Sequence, residues 1–238
     1  MKNFQQEDQE LLQKESGIYT APLQRRSFLQ YAGAGAAGIA LIAAGCKKDD
    51  GSESIRLAGA VDLGSGDVGI LNYAYALEQL EAAFYDAVVK TPYAGISQAE
   101  LALLTDIRDH ELAHREFFKK ALATNAIVGL EVNFSAINFT QRASVLATAK
   151  AFEDLGVSAY NGAGKLIKSA DYLVLAGKIV SVEARHAALI RDLIDNGSFA
   201  NSEVVDASGL DKARTPSEVL TIASAFIKTK INAGNLPS

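Results

Sequence analysis

The chain has 238 residues, 49% of them apolar, which is enough for one domain with a sizeable core and additional segments. A net charge of −5 and the lack of a long basic run weigh against nucleic acid as a partner. The single cysteine excludes a disulfide framework, a cysteine-rich zinc site and a rubredoxin-type iron centre.

Residues 1–24 are polar and show no regular pattern. Arg25-Arg26-Ser27-Phe28-Leu29 follows, and its adjacent arginines with Phe and Leu just beyond resemble a twin-arginine export motif. The Ala/Gly-rich stretch from Tyr31 to Ala44 is shorter than the ~20 apolar residues a bilayer-spanning helix needs. It suits the apolar part of a signal segment. It ends in Ile42-Ala43-Ala44-Gly45-Cys46, which resembles a lipoprotein processing site with Cys46 as the acylated residue. Left uncleaved, the same stretch is an N-terminal anchor. Residues 1–45 are therefore expected to be a signal segment, and residues 46–66, opening on Lys47-Lys48-Asp49-Asp50, a flexible tether. The expected destination is the periplasm or the outer-membrane or cell surface, with the membrane reached through lipidated Cys46.

The remainder reads as helices. The first is expected from about Val68 to Val89, stopping before Thr91-Pro92. Ser97-Gln98-Ala99-Glu100 has the capping-box pattern and opens a second helix over about 98–123. A long connection, 124–142, carries β-like pieces such as Val132-Asn133-Phe134. The third helix is expected from about Ser144 to Ala163 and the fourth from about Asp171 to Asp195, ending at Asn196-Gly197. Thr215-Pro216-Ser217-Glu218 caps a short fifth helix running to about Lys230. Short links favour two antiparallel pairs, first with second and third with fourth. A connection of ~19 residues spans ~60 Å when extended, more than the ~35 Å length of such a helix. The expectation is an all-α bundle over 67–197 with one long crossover between its second and third helices, and a C-terminal loop and short helix over 198–238.

The helices repeat in pairs. Leu71, Ala74, Glu78, Leu80 and Tyr85 in the first helix are matched at identical spacing by Leu146, Ala149, Glu153, Leu155 and Tyr160 in the third. Offsets of −7, −4 and +7 lie within about 40° of the glutamate on a 3.6-residue helix, so each glutamate points with the apolar stripe into the core. Ile107, Glu111, His114 and Phe118 in the second helix are matched by Ile179, Glu183, His186 and Ile190 in the fourth. Glu and His three apart share a helix face. Four unpaired carboxylates in one core would have to neutralise or unfold the bundle. Two divalent cations balance them, and two neutral imidazoles complete the set. One Glu from each of two helices with Glu-x-x-His from each of the other two is the ligand rule of ferritin-like di-iron and di-manganese proteins.

On these residues the chain resembles the ferritin-like superfamily over about 66–197. Leu77-Glu78-Gln79-Leu80-Glu81-Ala82-Ala83-Phe84-Tyr85 and Val182-Glu183-Ala184-Arg185-His186-Ala187 resemble the exported bacterial ferritin-like domain family that includes desiccation-related proteins. The resemblance implies a ferritin-like four-helix bundle holding two Fe or Mn ions. Glu111 and Glu183 would bridge the metals, Glu78 and Glu153 would be terminal ligands, and His114 and His186 would each hold one metal. Two adjacent Fe or Mn ions can share a two-electron step, so the expectation is an oxidoreductase acting on O2 or peroxide, by ferroxidase activity or peroxide removal. A lipidated N-terminus and a tether of ~20 residues suit a membrane-bound monomer or small homo-oligomer. Oxygen-rich ligation with imidazole suits Fe and Mn.

Other readings use the same residues. His110-Glu111-Leu112-Ala113-His114 satisfies H-E-x-x-H, with His110 and His114 on zinc and Glu111 as a peptidase base. That reading needs a third ligand, for which Glu131 falls in a loop, and leaves the second Glu-x-x-His unexplained. A non-catalytic scaffold for envelope or stress protection is the other alternative. Glu81 competes with Glu78 as ligand, but its match in the third helix is Gly156. His110, Glu81, Tyr85 and Tyr160 are candidates to support the ligands, and Asp106, Asp109, Asp154 and Arg185 read as helix-surface charges that include candidate partners for a ligand.

Overall fold

The computed structural model describes residues 59–238. Arg25, Arg26, the apolar stretch 31–44, Cys46 and most of the expected tether lie outside the described residues. Four long helices make the body: α1 (Gly66–Lys90), α2 (Gln98–Leu122), α3 (Arg142–Gly164) and α4 (Ala170–Ile194). Ser97 accepts from the Glu100 amide at the start of α2, and Ser169 accepts from the Tyr172 amide at the start of α4. Each such cap satisfies one of the amides left open at a helix start. Helix α1 packs along α2, and α3 along α4, across links of a few residues. This is the expected ferritin-like helical bundle, with its crossover between α2 and α3. Among the described residues no helix is long and apolar enough to cross a membrane.

The crossover is fastened to α1 by buried amides. Asn72 donates through Nδ2 to the carbonyls of Leu63 (3.1 Å) and Asn125 (2.9 Å) and accepts from the Ile127 amide (3.0 Å). Gln79 Oε1 accepts from the Leu130 amide at 2.8 Å. Phe84 of α1 packs edge-on to Phe134 of the crossover and Phe152 of α3. Aromatic pairs in this geometry add to plain area burial. Together these contacts set α3 against α1 and so fix the glutamates they carry.

Two expected boundaries shift. The fifth helix, α5, spans Pro216–Ala223, with the expected Thr215/Glu218 capping box, and stops well short of Lys230. The following backbone is taken by long-range partners: Phe226 accepts from the Asn133 amide, Lys228 donates to Glu131, and Ile227 bridges Val132. Phe226 also stacks edge-on against Phe152 at 4.8 Å. Further on, β2 (Ile231–Asn232) pairs in parallel with β1 (Val61–Asp62), so the last residues of the stretch read as a tether are tied to the domain. Gly162 marks where the C-terminal segment meets α3. A Cβ there would lie 1.7 Å from the Arg214 carbonyl oxygen, so only glycine admits this approach.

Candidate metal centre

The periodicity places its polar residues where it points them. Glu78, Glu111, Glu153, Glu183 and His186 are all buried, and His114 is nearly so, with 13% of its side chain exposed. All six face one point between the four helices. Nδ1 of His114 lies 2.7 Å from Glu183, 3.5 Å from Glu78 and 3.8 Å from Glu111. Nδ1 of His186 lies 2.8 Å from Glu111, 3.6 Å from Glu153 and 3.3 Å from Glu183. The two halves repeat each other with the helices exchanged, as the sequence repeat requires.

Donor atoms converge into two overlapping sets. Glu78, Glu111, His114 and Glu183 form one, and Glu111, Glu153, Glu183 and His186 form the other, each with donor atoms within 4.8 Å of one another. Glu111 and Glu183 belong to both. Both oxygens of Glu111 and of Glu183, one oxygen each of Glu78 and Glu153, and Nδ1 of both histidines are buried without a hydrogen-bond partner. Close approach with misdirected lone pairs is costly between protein groups alone. Such a cluster could hold metal ions, and the acid and imidazole set is suited to a hard or borderline divalent metal.

Residues 66–196, more than half of the chain, match the model of the ferritin-like domain family. The chain belongs to that family. Among curated proteins there is no match to it.

Electrostatics of this ferritin-like centre divide its residues by role. Burial raises the Glu78 carboxyl well above its ordinary range, reinforced by the Glu183 charge and opposed by contact with His114. Burial likewise lifts Glu153 to about 8, against the pull of His186. For Glu111 burial works upward too, but the two imidazoles outweigh it and hold the group down at about 2. Burial works to lower both histidines, yet Glu111 and the neighbouring carboxylates carry His114 and His186 up to about 12. Without metal, the cluster thus neutralises itself by sharing protons.

Tyr85 and Tyr160 cross between the matched helices. Tyr85 of α1 donates to Glu153 of α3 at 2.5 Å, and Tyr160 of α3 donates to Glu78 of α1. Glu153 and Glu78 therefore each have one oxygen held by a phenol and the other left in the cluster. His110 does not enter either donor set. Its Nδ1 sits 2.9 Å from Nε2 of His186 with the rings nearly parallel. A proton on His186 Nε2, donated to His110, leaves Nδ1 free as a ligand atom. No histidine matches His110 in the other half, where Val182 takes its place.

Glu81 is buried but outside both sets. Its carboxyl occupies the notch left by Gly156, where a Cβ would lie 3.0 Å from Oε1. Burial first, then the Glu111 charge, pushes its pKa well up. The charges read as helix-surface groups divide. Asp106, Asp109 and Arg185 are exposed, Asp109 beside Arg108 at 2.6 Å. Asp154 instead forms a bidentate pair with the buried Arg191, whose side chain also reaches Asn201 and Glu203. The group that meets His186 Nε2 is His110, not one of these aspartates. Sequence reasoning did not single out Asn72, Gln79 or Arg191, because their partners lie 37 to 55 residues away or in irregular backbone.

Proposed function

We propose that this is an exported ferritin-like oxidoreductase whose centre holds two Fe or Mn ions and acts on dioxygen or peroxide, as a ferroxidase or in peroxide removal. The observation that carries the reading is the sharing of Glu111 and Glu183 between two four-residue donor sets. Four carboxylates balance two divalent charges, and two neutral imidazoles complete the ligands. Glu78 with His114 would hold one ion, Glu153 with His186 the other, and Glu111 and Glu183 would serve both. A metal pair of this kind supplies two electrons in adjacent one-electron changes.

The protein's own groups prepare the site. Tyr160 and Tyr85 each fix one oxygen of a terminal carboxylate and turn the other inward. His110 sets the tautomer of His186. Glu78, Glu111, Glu153 and Glu183 are fully buried, which keeps their carboxylates from water. His110 facing His186, outside both sets, favours this reading over an H-E-x-x-H zinc site, which needs His110 and His114 on one ion. Export through Arg25-Arg26 and anchoring through acylated Cys46 complete the proposal, at the periplasmic or cell-surface face of a membrane, as a monomer or small oligomer.

The test is metal analysis of protein purified without added metal, paired with Fe(II) oxidation and peroxide consumption. Two Fe or Mn per chain, lost in Glu111→Ala and Glu183→Ala together with turnover, is the expected result. Stoichiometric metal without turnover leaves a non-catalytic scaffold. One zinc per chain that survives Glu183→Ala overturns the reading.

A further inference from the structure

Beside the donor cluster the bundle holds an apolar chamber. All four long helices contribute to its wall. Its inner part is formed by Leu77, next to Glu78; Phe118, one turn beyond His114; Tyr160, which holds Glu78; and Ile179, one turn before Glu183. Its outer part runs past Ala176 and Tyr172 of α4 toward the end of the bundle. The chamber leaves about 30 Å³ for the centre of a water-sized molecule, roughly twice what one water requires.

Chemistry decides what such a space admits. Buried water needs two to four polar partners, and cavities lined by Leu, Ile and Phe stay dry and take apolar guests. The Tyr160 hydroxyl is committed to Glu78. Tyr73, also on the wall, has a buried hydroxyl without a partner, and Tyr172 stands at the half-buried outer part, so the inner part offers water at most one free hydroxyl. Peroxide would shed its hydrogen bonds to water on entering, and a metal ion its hydration shell. Dioxygen has neither to lose, and it fits the volume.

We infer that this chamber admits and holds dioxygen beside Glu78 and Tyr160, which makes dioxygen rather than peroxide the oxidant that the bundle is built to receive. The inference rests on the reading of the site as an oxygen-reactive metal pair.

Xenon under pressure is the probe, used on crystals of the metal-loaded protein and of the metal-free protein. Xenon bounded by Leu77, Phe118, Tyr160 and Ile179 is expected in both. The kinetic arm uses Ala176→Leu, with the smaller Ala176→Val beside it in case the larger side chain disrupts folding. Each variant is expected to keep its metal content and its peroxide rate while the KM for dioxygen in Fe(II) oxidation rises, about tenfold for Leu and less for Val. A chamber filled with ordered water, no xenon, or equal slowing with dioxygen and peroxide overturns the inference. Xenon entry into a protein that binds no metal pair overturns the proposed function instead, and with it the role given to dioxygen. Metal pairing without xenon entry overturns only the chamber.

Discussion

The Tyr85 hydroxyl on α1 donates to Glu153 on α3 at 2.5 Å, and Tyr160 on α3 returns the same bond to Glu78 on α1. This exchange locks the two helices that carry the terminal carboxylates. Tyr85→Phe leaves a fully buried carboxyl oxygen unpaired, which costs roughly 1–3 kcal/mol of stability. Removing the partner that orients a ligand also costs about 10–100-fold in metal affinity. Urea unfolding and metal competition should find both effects, at similar size in Tyr160→Phe. Unchanged affinity in both variants would reduce the tyrosines to core packing.

Glu81 and Glu78 separate a ligand from its neighbour. Glu81→Gln removes a buried ionisable group that belongs to neither donor set, so metal stoichiometry should stay at the wild-type value. Glu78→Gln should lose the metal held with His114. Inductively coupled plasma mass spectrometry on the two variants reads this directly, and the reverse pattern would exchange their roles.

His110→Ala tests the tautomer argument. The expected outcome is full metal stoichiometry with affinity lower by about 10–100-fold, the usual cost of losing a group that orients a metal-bound histidine. Complete loss of metal from this variant would place His110 among the ligands.

Stability without metal should depend on pH with a definite sign. His114 and His186 rise from 6.5 to about 12, so their contribution is full below 6.5 and is lost as pH rises through about 12. Glu153 rises from 4.5 to about 8, so the folded state binds more protons across that window and stability falls through it. Glu111 falls from 4.5 to about 2, so its contribution is present above 4.5 and is lost as pH falls through about 2. Thermal melts of chelated protein should therefore drop steadily from mildly acidic to alkaline pH. Metal must displace these protons, so its affinity should rise over the same range, with net proton release in calorimetry. A flat melting profile, or metal uptake without proton release, would contradict this charge arrangement.

The paired helix patterns make the six cluster residues legible in the sequence itself. A 3.6-residue period fixes which face each Glu and His shares, and two-fold repetition separates them from surface charge. The side-chain cap at Ser97 and the capping box at Thr215 were equally local, and so were the starts of α2 and α5. What the sequence did not reveal depends on partners far along the chain. The end of α5 gives way to bonds between 226–228 and 131–133, and β1 pairs with β2 across some 170 residues. The Glu81 notch shows as a mismatch in the repeat, but that Gly156 makes room for a buried carboxyl is a fact of helix packing. The apolar chamber carries no sequence mark at all, since its wall is ordinary core residues.

The most direct measurement is anomalous diffraction from crystals of protein purified without added metal, with data at the Fe, Mn and Zn edges. Two Fe or Mn peaks are expected about 3.5–4 Å apart. Glu111 and Glu183 should touch both, Glu78 and His114 only one, and Glu153 and His186 only the other. A single zinc peak between His110 and His114, or no metal among the six residues, would contradict a dinuclear centre.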